Sequence, residues 1–396
     1  MSYTITFLIW IGTMLIILAL GFIYMGWRLI NPFQLQSPYK QIAWTVLTLM
    51  YILPLSSFFL LRFAEKWSDA FAWIAYTCLG LLSFLFIVLL TRDVLLLLGI
   101  NIQKLISFFS SSQNIDTTKR EFLLQMTNIG VIVTAGMLTG YGVYQARKKP
   151  GIVNVEVPIK KLPQEFDGFT IVQISDVHAG LTIKRDWIET IVTEIKNLSP
   201  DLLAFTGDLA DGSVLHLQND VAPLADISAP YGKFFVTGNH EYYSGAEAWV
   251  KHAQNLGYDV LINEHRRIEK NGTHIILAGV TDYTGGQFFP HHKSNPKKAL
   301  EGATVDTAKI LLAHQPRSLY QTNDLDIDLV LMGHTHGGQF FPWNFAATIG
   351  QPFIKGLNKY NDTWAYVSKG TGYWGPPVRL GARSEITVIK LKKEIG

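Results

Sequence analysis

The sequence predicts a chain in two parts: four transmembrane helices within residues 1–146, then an α/β layered domain with mixed sheets. A linker and first strand at 147–165 lead into the main body at 166–396. Three observations carry this division. Long apolar runs crowd the first 150 residues, as membrane crossing requires. Beyond them, short apolar segments alternate with amphipathic stretches of helical period. Composition changes at the same place: residues 1–150 hold 11 Lys and Arg, 5 Asp and Glu and no histidine, whereas the remainder holds 23 basic residues, 26 acidic ones and all 11 histidines.

Residues 4–30 carry no charge before Arg28, with Trp27 beside it, and are long enough to cross a hydrocarbon layer of roughly 30 Å. They lack the basic start and small-residue cleavage site of a removable signal peptide. Further runs at about 42–61, 71–91 and 123–144 complete the expected four spans. Arg92 and Asp93 are sequence neighbours that should not face each other on a helix, and they are expected to mark an interface. The spans are expected to lack the buried charges of an ion or substrate pathway. Gly136 and Gly140 have the GxxxG spacing of a weak helix-packing signal.

An even number of spans puts the N-terminus and the second half on one side. The flanking positive charges tie at five on each side: Arg28, Lys40, Lys104, Lys119 and Arg120 against Arg62, Lys66, Arg147, Lys148 and Lys149. TTKREFLLQ at 117–125 resembles a twin-arginine export signal with its first arginine replaced by lysine, and this tips the expectation towards an extracytoplasmic second half. Cys78 is the sole cysteine, which excludes an internal disulfide and a Cys-ligated zinc site. The dispersed Lys and Arg of the second half form no nucleic-acid stripe.

In the second half, IVNVEV at 152–157 reads as an edge strand, and FTIVQIS, DLLAFT, GKFFVT, KILLA and DLVLM read as buried strands. The stretch 186–200 puts Ile188, Ile191, Val192, Ile195 and Leu198 on one helical face, and 245–258 forms a second helix. Each buried strand is followed by a polar motif: DVH at 176–178, GD at 207–208, GNHE at 238–241, His314, and GHTHGGQ at 333–339. Strand ends on one rim can bring Asp176, His178, Asp208, Asn239, His240, His314, His334 and His336 together. Imidazoles, carboxylates and an amide suit Mn, Fe, Zn or Co. Leaving His240 aside, the ligands are too many for one tetrahedral ion and suit two ions sharing a bridging carboxylate. The D-x-H and H-x-H spacings would place both members of each pair on the same side of an extended segment. Two ions roughly 3.5–4 Å apart acidify a shared water and clamp the oxygens of an in-line displacement at phosphorus. His240 then has a separate task, as donor to a phosphoryl oxygen or acid for the leaving alkoxide.

Asp-x-His, Gly-Asp, Gly-Asn-His-Glu, a single His and Gly-His-x-His, in this order, resemble the calcineurin-like metallophosphoesterase superfamily. FDGFTIVQISDVHAG, GHTHGGQ and SKGTGYWGPPVRLGARSEITVIKL resemble more narrowly its bacterial membrane-associated branch, which includes UDP-2,3-diacylglucosamine pyrophosphatase-like proteins. The resemblance implies a four-layer sandwich of two mixed sheets flanked by helices. It also implies that Asp176, His178 and His336 hold one divalent ion, that Asn239, His314 and His334 hold another, and that Asp208 bridges them. His240 would act at the phosphoryl group and Glu241 would orient it.

The expected protein is a multi-pass enzyme of the cell membrane that hydrolyses a phosphomonoester, phosphodiester or pyrophosphate bond; its membrane half motivates a lipid-linked substrate. The alternative is a membrane sensor or transporter whose second half only binds metal or phosphate. Asp282, His291 and His292 are lesser candidates near the rim. Trp343, Tyr373, Trp374 and Arg379 lie on loops that either meet a lipid face and a phosphate or pack beneath the surface. His216, His252, His265 and His274 match no motif.

Overall fold

The structure is a computed structural model and describes residues 3–60, 68–109 and 117–394. It divides into two compact units at Val143 and Tyr144. The first unit is helical: α1 (Tyr3–Ile30), α2 (Tyr39–Leu60), α3 (Ser68–Phe109) and α4 (Thr117–Arg147), whose last turn belongs to the second unit. Among the described residues three helices are long and apolar enough to cross a membrane, at Leu15–Phe33, Asp69–Gly99 and Thr118–Arg147. The expected second span lies on α2, whose 22 residues include Pro54 and several polar side chains. Leu61, where that span was expected to end, lies outside the described residues.

Two expectations about the helices are corrected. Helix α3 runs unbroken through Arg92 and Asp93 for 42 residues, and the two side chains are paired. Asp93 accepts from Arg28 through Nε and Nη2 (both 2.6 Å), from the Tyr24 hydroxyl (2.8 Å) and from Arg92 Nε (2.9 Å). Fully buried Asn128 donates to the carbonyls of Arg28 and Leu29 at 3.0 and 3.2 Å and accepts from Arg92. The helical unit therefore does hold charges withdrawn from solvent. Neighbours diverge at Cβ, but an arginine is long enough to fold back onto the next residue. The two carbonyls belong to the last turn of α1, so Asn128 ties α4 to that helix end. Side chains added at Gly136 and Gly140 would meet open space, so GxxxG packs against nothing described in this chain.

The second unit contains β1 (Gly151–Ile159), β2 (Thr170–Ile174), α5 (Arg185–Leu198), β3 (Leu202–Phe205), α6 (Val214–Val221), β4 (Lys233–Phe235), α7 (Asn239–Ser244), α8 (Ala246–Asn255) and β5 (Asp259–Val260). It continues with β6 (Glu264–Lys270), β7 (Thr273–Gly279), α9 (Pro296–Ala299), β8 (Lys309–Leu312), β9 (Leu329–Met332), α10 (Trp343–Ala346), β10 (Gly356–Tyr360), β11 (Thr363–Val367) and β12 (Glu385–Lys393). These strands form two six-stranded mixed sheets, ordered β1-β12-β2-β3-β4-β5 and β10-β11-β9-β8-β7-β6. Alternation along each strand explains the layers. Ile171, Leu202, Ala204, Ile310, Leu312, Leu329 and Leu331 fill the core between the sheets. Val172, Ile174, Leu203 and Phe205 face outward and meet Trp187, Ile188, Ile191 and Ile195 of α5. Leu311 and Val330 face the other way, towards Ala299 and Leu319. Burial of each large aliphatic side chain contributes about 1.5–3 kcal/mol.

Strands β2, β3 and β4 are parallel, as are β7, β8, β9 and β11. The motif residues follow the C-terminal ends of β2, β3, β4, β8 and β9.

Candidate metal centre

The polar motifs meet at this rim. His178 Nε2 lies 3.1 Å from His336 Nε2, which is 3.6 Å from Asp176 Oδ1. In a second group, His314 Nε2 lies 3.2 Å from both His334 Nδ1 and Asn239 Oδ1. Asp208 Oδ2 joins the groups, 3.0 Å from His314 Nε2 and 3.7 Å from His178 Nε2. Three sets of side chains can each hold a metal ion: Asp176, His178 and His336; Asp208, His314 and His334; and His178, Asp208 and His240.

The backbone brings them there in a conformation other than the extended one that the spacing predicts. Asp176, His178, Asp208, His334 and His336 have φ of 52°, 52°, 56°, 72° and 51°, in the left-handed region rather than an extended one. Non-glycine residues adopt this conformation at a cost, and such strain concentrates at functional sites. Space is limited as well. A Cβ on Gly207 would come within 2.6 Å of the Gly238 nitrogen and 2.8 Å of His314 Nδ1. One on Gly333 would collide with Ser175 and Asp176.

The donor set fits a cation. His314 Nδ1 is 2.7 Å from the Thr206 carbonyl, and His178 Nδ1 is 2.9 Å from Asp211 Oδ1. An oxygen acceptor at each Nδ1 fixes the proton there, which leaves the Nε2 lone pairs directed at the cluster. Burial, reinforced by repulsion from His314, lowers His334 to about 3 and keeps it neutral. Burial alone would lower His314, but Asp208 outweighs it and raises the imidazole well above its ordinary value. The pocket therefore attracts positive charge.

Asp211 went unnoticed in the sequence, because a carboxylate three residues after the Gly-Asp motif has no distinctive spacing. Its Oδ1 also lies 2.6 Å from His240 Nδ1. Burial would raise this carboxyl, yet the imidazoles of His178 and His240 hold it below the ordinary carboxylate range. For His240, burial acts downward, but Asp208 and Asp211 prevail and raise it to about 9. Glu241, expected beside His240, instead accepts from the backbone nitrogens of Gly238 (2.6 Å), Leu209 (2.8 Å) and Asp208 (3.0 Å), tying two site loops together. The remaining face of His240 meets Tyr243 and Trp374, with ring centroids 5.3 and 5.6 Å away.

The lesser candidates separate clearly. Arg379 is fully buried and donates to the carbonyls of Gly372 (2.9 Å) and Ala382 (2.8 Å), with Nη2 lying 3.2 Å from His336 Nδ1. Buried Tyr373 donates to the Thr182 carbonyl. Trp343 and Trp374 are exposed. Buried Asp282 accepts from Gln315, next to His314, and His292 Nδ1 shares a 2.9 Å hydrogen bond with the Tyr242 hydroxyl. His291 is exposed, and His216, His252, His265 and His274 belong to none of the three metal-competent sets.

Imidazoles and carboxylates converging on one space, with a further imidazole held beside them, suit a metal-dependent hydrolase. Known proteins narrow the class. Residues 169–338 match the profile of the calcineurin-like phosphoesterases. The chain is 33% identical to a transmembrane protein with metallophosphoesterase domain from Danio rerio, the match covering 99% of this chain and 90% of that protein. A protein of the same description from Bos taurus is 36% identical, over 95% of this chain and 87% of its own. An uncharacterized metallophosphoesterase from Helicobacter pylori is 33% identical, covering 72% and 77% respectively. The chain belongs to the calcineurin-like metallophosphoesterases and is a metal-dependent phosphoesterase of a membrane.

Proposed function

We propose that the second unit binds two divalent ions, of Mn, Fe, Zn or Co, and hydrolyses a phosphomonoester, phosphodiester or pyrophosphate bond, on a lipid-linked substrate. The observation that carries this is Asp208 Oδ2, which stands between His178 Nε2 and His314 Nε2. Asp176, His178 and His336 would hold one ion, Asn239, His314 and His334 the other, and Asp208 would bridge. When bound, such ions supply an acidified water and Lewis acidity at phosphorus.

The chain's own residues supply the rest. Asp211 accepts at Nδ1 of His240, which leaves Nε2 to carry the proton given to a phosphoryl oxygen or a leaving alkoxide. The same carboxylate fixes the tautomer of His178, so one side chain positions both a ligand and the acid. Glu241 acts further out, holding the loops of Asp208 and Asn239 in register. Four spans in residues 1–146, a linker and first strand at 147–165, a catalytic domain at 166–396 and an extracytoplasmic active site complete the proposal. The side of the membrane is checked with a reporter fused after residue 396 that is active on one side only.

The test of function uses the full chain in detergent, with metal content measured beside hydrolysis of aryl phosphate monoesters and diesters. Two metal equivalents are expected, and Asp208→Asn should lose metal and cut turnover at least about a thousandfold. Metal without turnover on any probe would favour a sensor or transporter, for which the buried charges around Asp93 are the specific support.

A further inference from the structure

Aromatic side chains stand exposed around the candidate metal centre. Phe341, Trp343, Phe345 and Ile349 are 47%, 51%, 63% and 76% exposed on the segment that follows the GHTHGGQ motif. Trp374 and Tyr243 are 53% and 63% exposed and flank His240. These residues form one apron. Gln339 donates to the Trp374 carbonyl (2.9 Å) and accepts from its nitrogen (2.9 Å), joining the two loops, while the rings of Phe341 and Phe345 meet at 5.9 Å. A soluble surface rarely spends so many large apolar groups in one place without a partner.

The chain enters the second unit at this same end of the sheet. The Gly151 nitrogen donates to the Ser384 carbonyl, and the next residue, Glu385, donates to Gly370. A Cβ on Gly370 would lie 3.0 Å from Asp176 and 3.2 Å from His336 Nδ1. The first strand thus starts at the rim end of its sheet, with β12 between it and the strand that leads to Asp176. Only Lys148, Lys149 and Pro150 separate Gly151 from Arg147, the end of the last candidate span. Within the second unit, Arg147 pairs with Asp186 at 3.0 Å and lies over the ring of Trp187. A tether this short holds its end of the domain near lipid.

We propose that the apron of Phe341, Trp343, Phe345, Ile349, Trp374 and Tyr243 docks into the headgroup layer of the bilayer, so that the rim of the metal centre opens at the lipid surface. Tryptophan and phenylalanine on a short helix are the residues that enter this layer. The inference rests on the membrane spans and not on the reaction, so its test reads depth and not turnover.

The experiment uses the full chain in nanodiscs of phosphatidylcholine and phosphatidylglycerol. In a Cys78→Ser background, Phe345→Cys or Trp343→Cys carries an environment-sensitive fluorophore, and Asn361→Cys, at the β10–β11 turn on the far end of the sheet, is the control. Doxyl-labelled lipid should quench the label at 345 and at 343 at least about twofold more than at 361, with aqueous iodide giving the reverse order. Equal iodide quenching at 345, 343 and 361 would overturn the proposal. So would protection of 345 and 343 from both quenchers, which would mean that protein covers the apron.

Discussion

Asp93 in the helical unit and Asp208 in the sheet unit are both carboxylates withdrawn from water, with side chains 16% and 2% exposed. Around Asp93, two guanidinium groups and a hydroxyl point their hydrogens inward. Asp208 Oδ2 faces imidazole nitrogens whose lone pairs converge on the same space. The first cluster is closed, because donors and acceptors inside the chain answer each other. The second is open to a cation, because its carboxylates face histidine nitrogens that can give up a proton to a metal, with no guanidinium or ammonium group among them. Burial alone does not distinguish structural from chemical polarity. The balance of donors and acceptors does.

Substitutions can break this contrast. His240→Ala should lower turnover about 10²–10⁴-fold while the metal content measured in the same sample stays unchanged. A parallel loss of metal would move His240 into the ligand set. Asp93→Leu leaves two arginines without their carboxylate and should destabilise the helical unit by about 3–5 kcal/mol, read as thermal unfolding in detergent, with kcat on aryl phosphates unaltered. If kcat fell as far as stability, the two clusters would be coupled and the sensor or transporter alternative would gain. Asp211→Asn should cost about 10–100-fold in kcat, since it loosens two histidines without removing a ligand. At the small end, Lys161→Ala removes a half-exposed ion pair with Asp326 and should change stability by less than about 1 kcal/mol by chemical denaturation.

The buried strands and the residues behind them were legible because strand burial leaves a continuous apolar signature and the following motif is dense in histidine. Asp208 and His314 could be found this way without knowing how the sheets pair. The left-handed backbone at Asp176 and His336 was not legible, since any residue type in those motifs is compatible with an extended chain. Asp211 was missed because its role depends on two imidazoles 33 and 29 residues away in sequence, at positions 178 and 240. Arg92 and Asp93 were misjudged because Cβ directions describe short side chains better than long ones. Arg379 became a buried partner of His336 because the loop containing it folds beneath the rim.

Strand β12 lies between β1 and β2, pairing Gly151 through Ile159 in parallel on one side and Thr170 through Gln173 on the other. The strand that enters the domain first can therefore join its sheet only after residues 385–393 have been made. During synthesis β1 must wait without a strand partner until β12 has been made, while β2 to β5 can pair among themselves. Such long-range closure is slow, and it leaves strand edges exposed until late in folding.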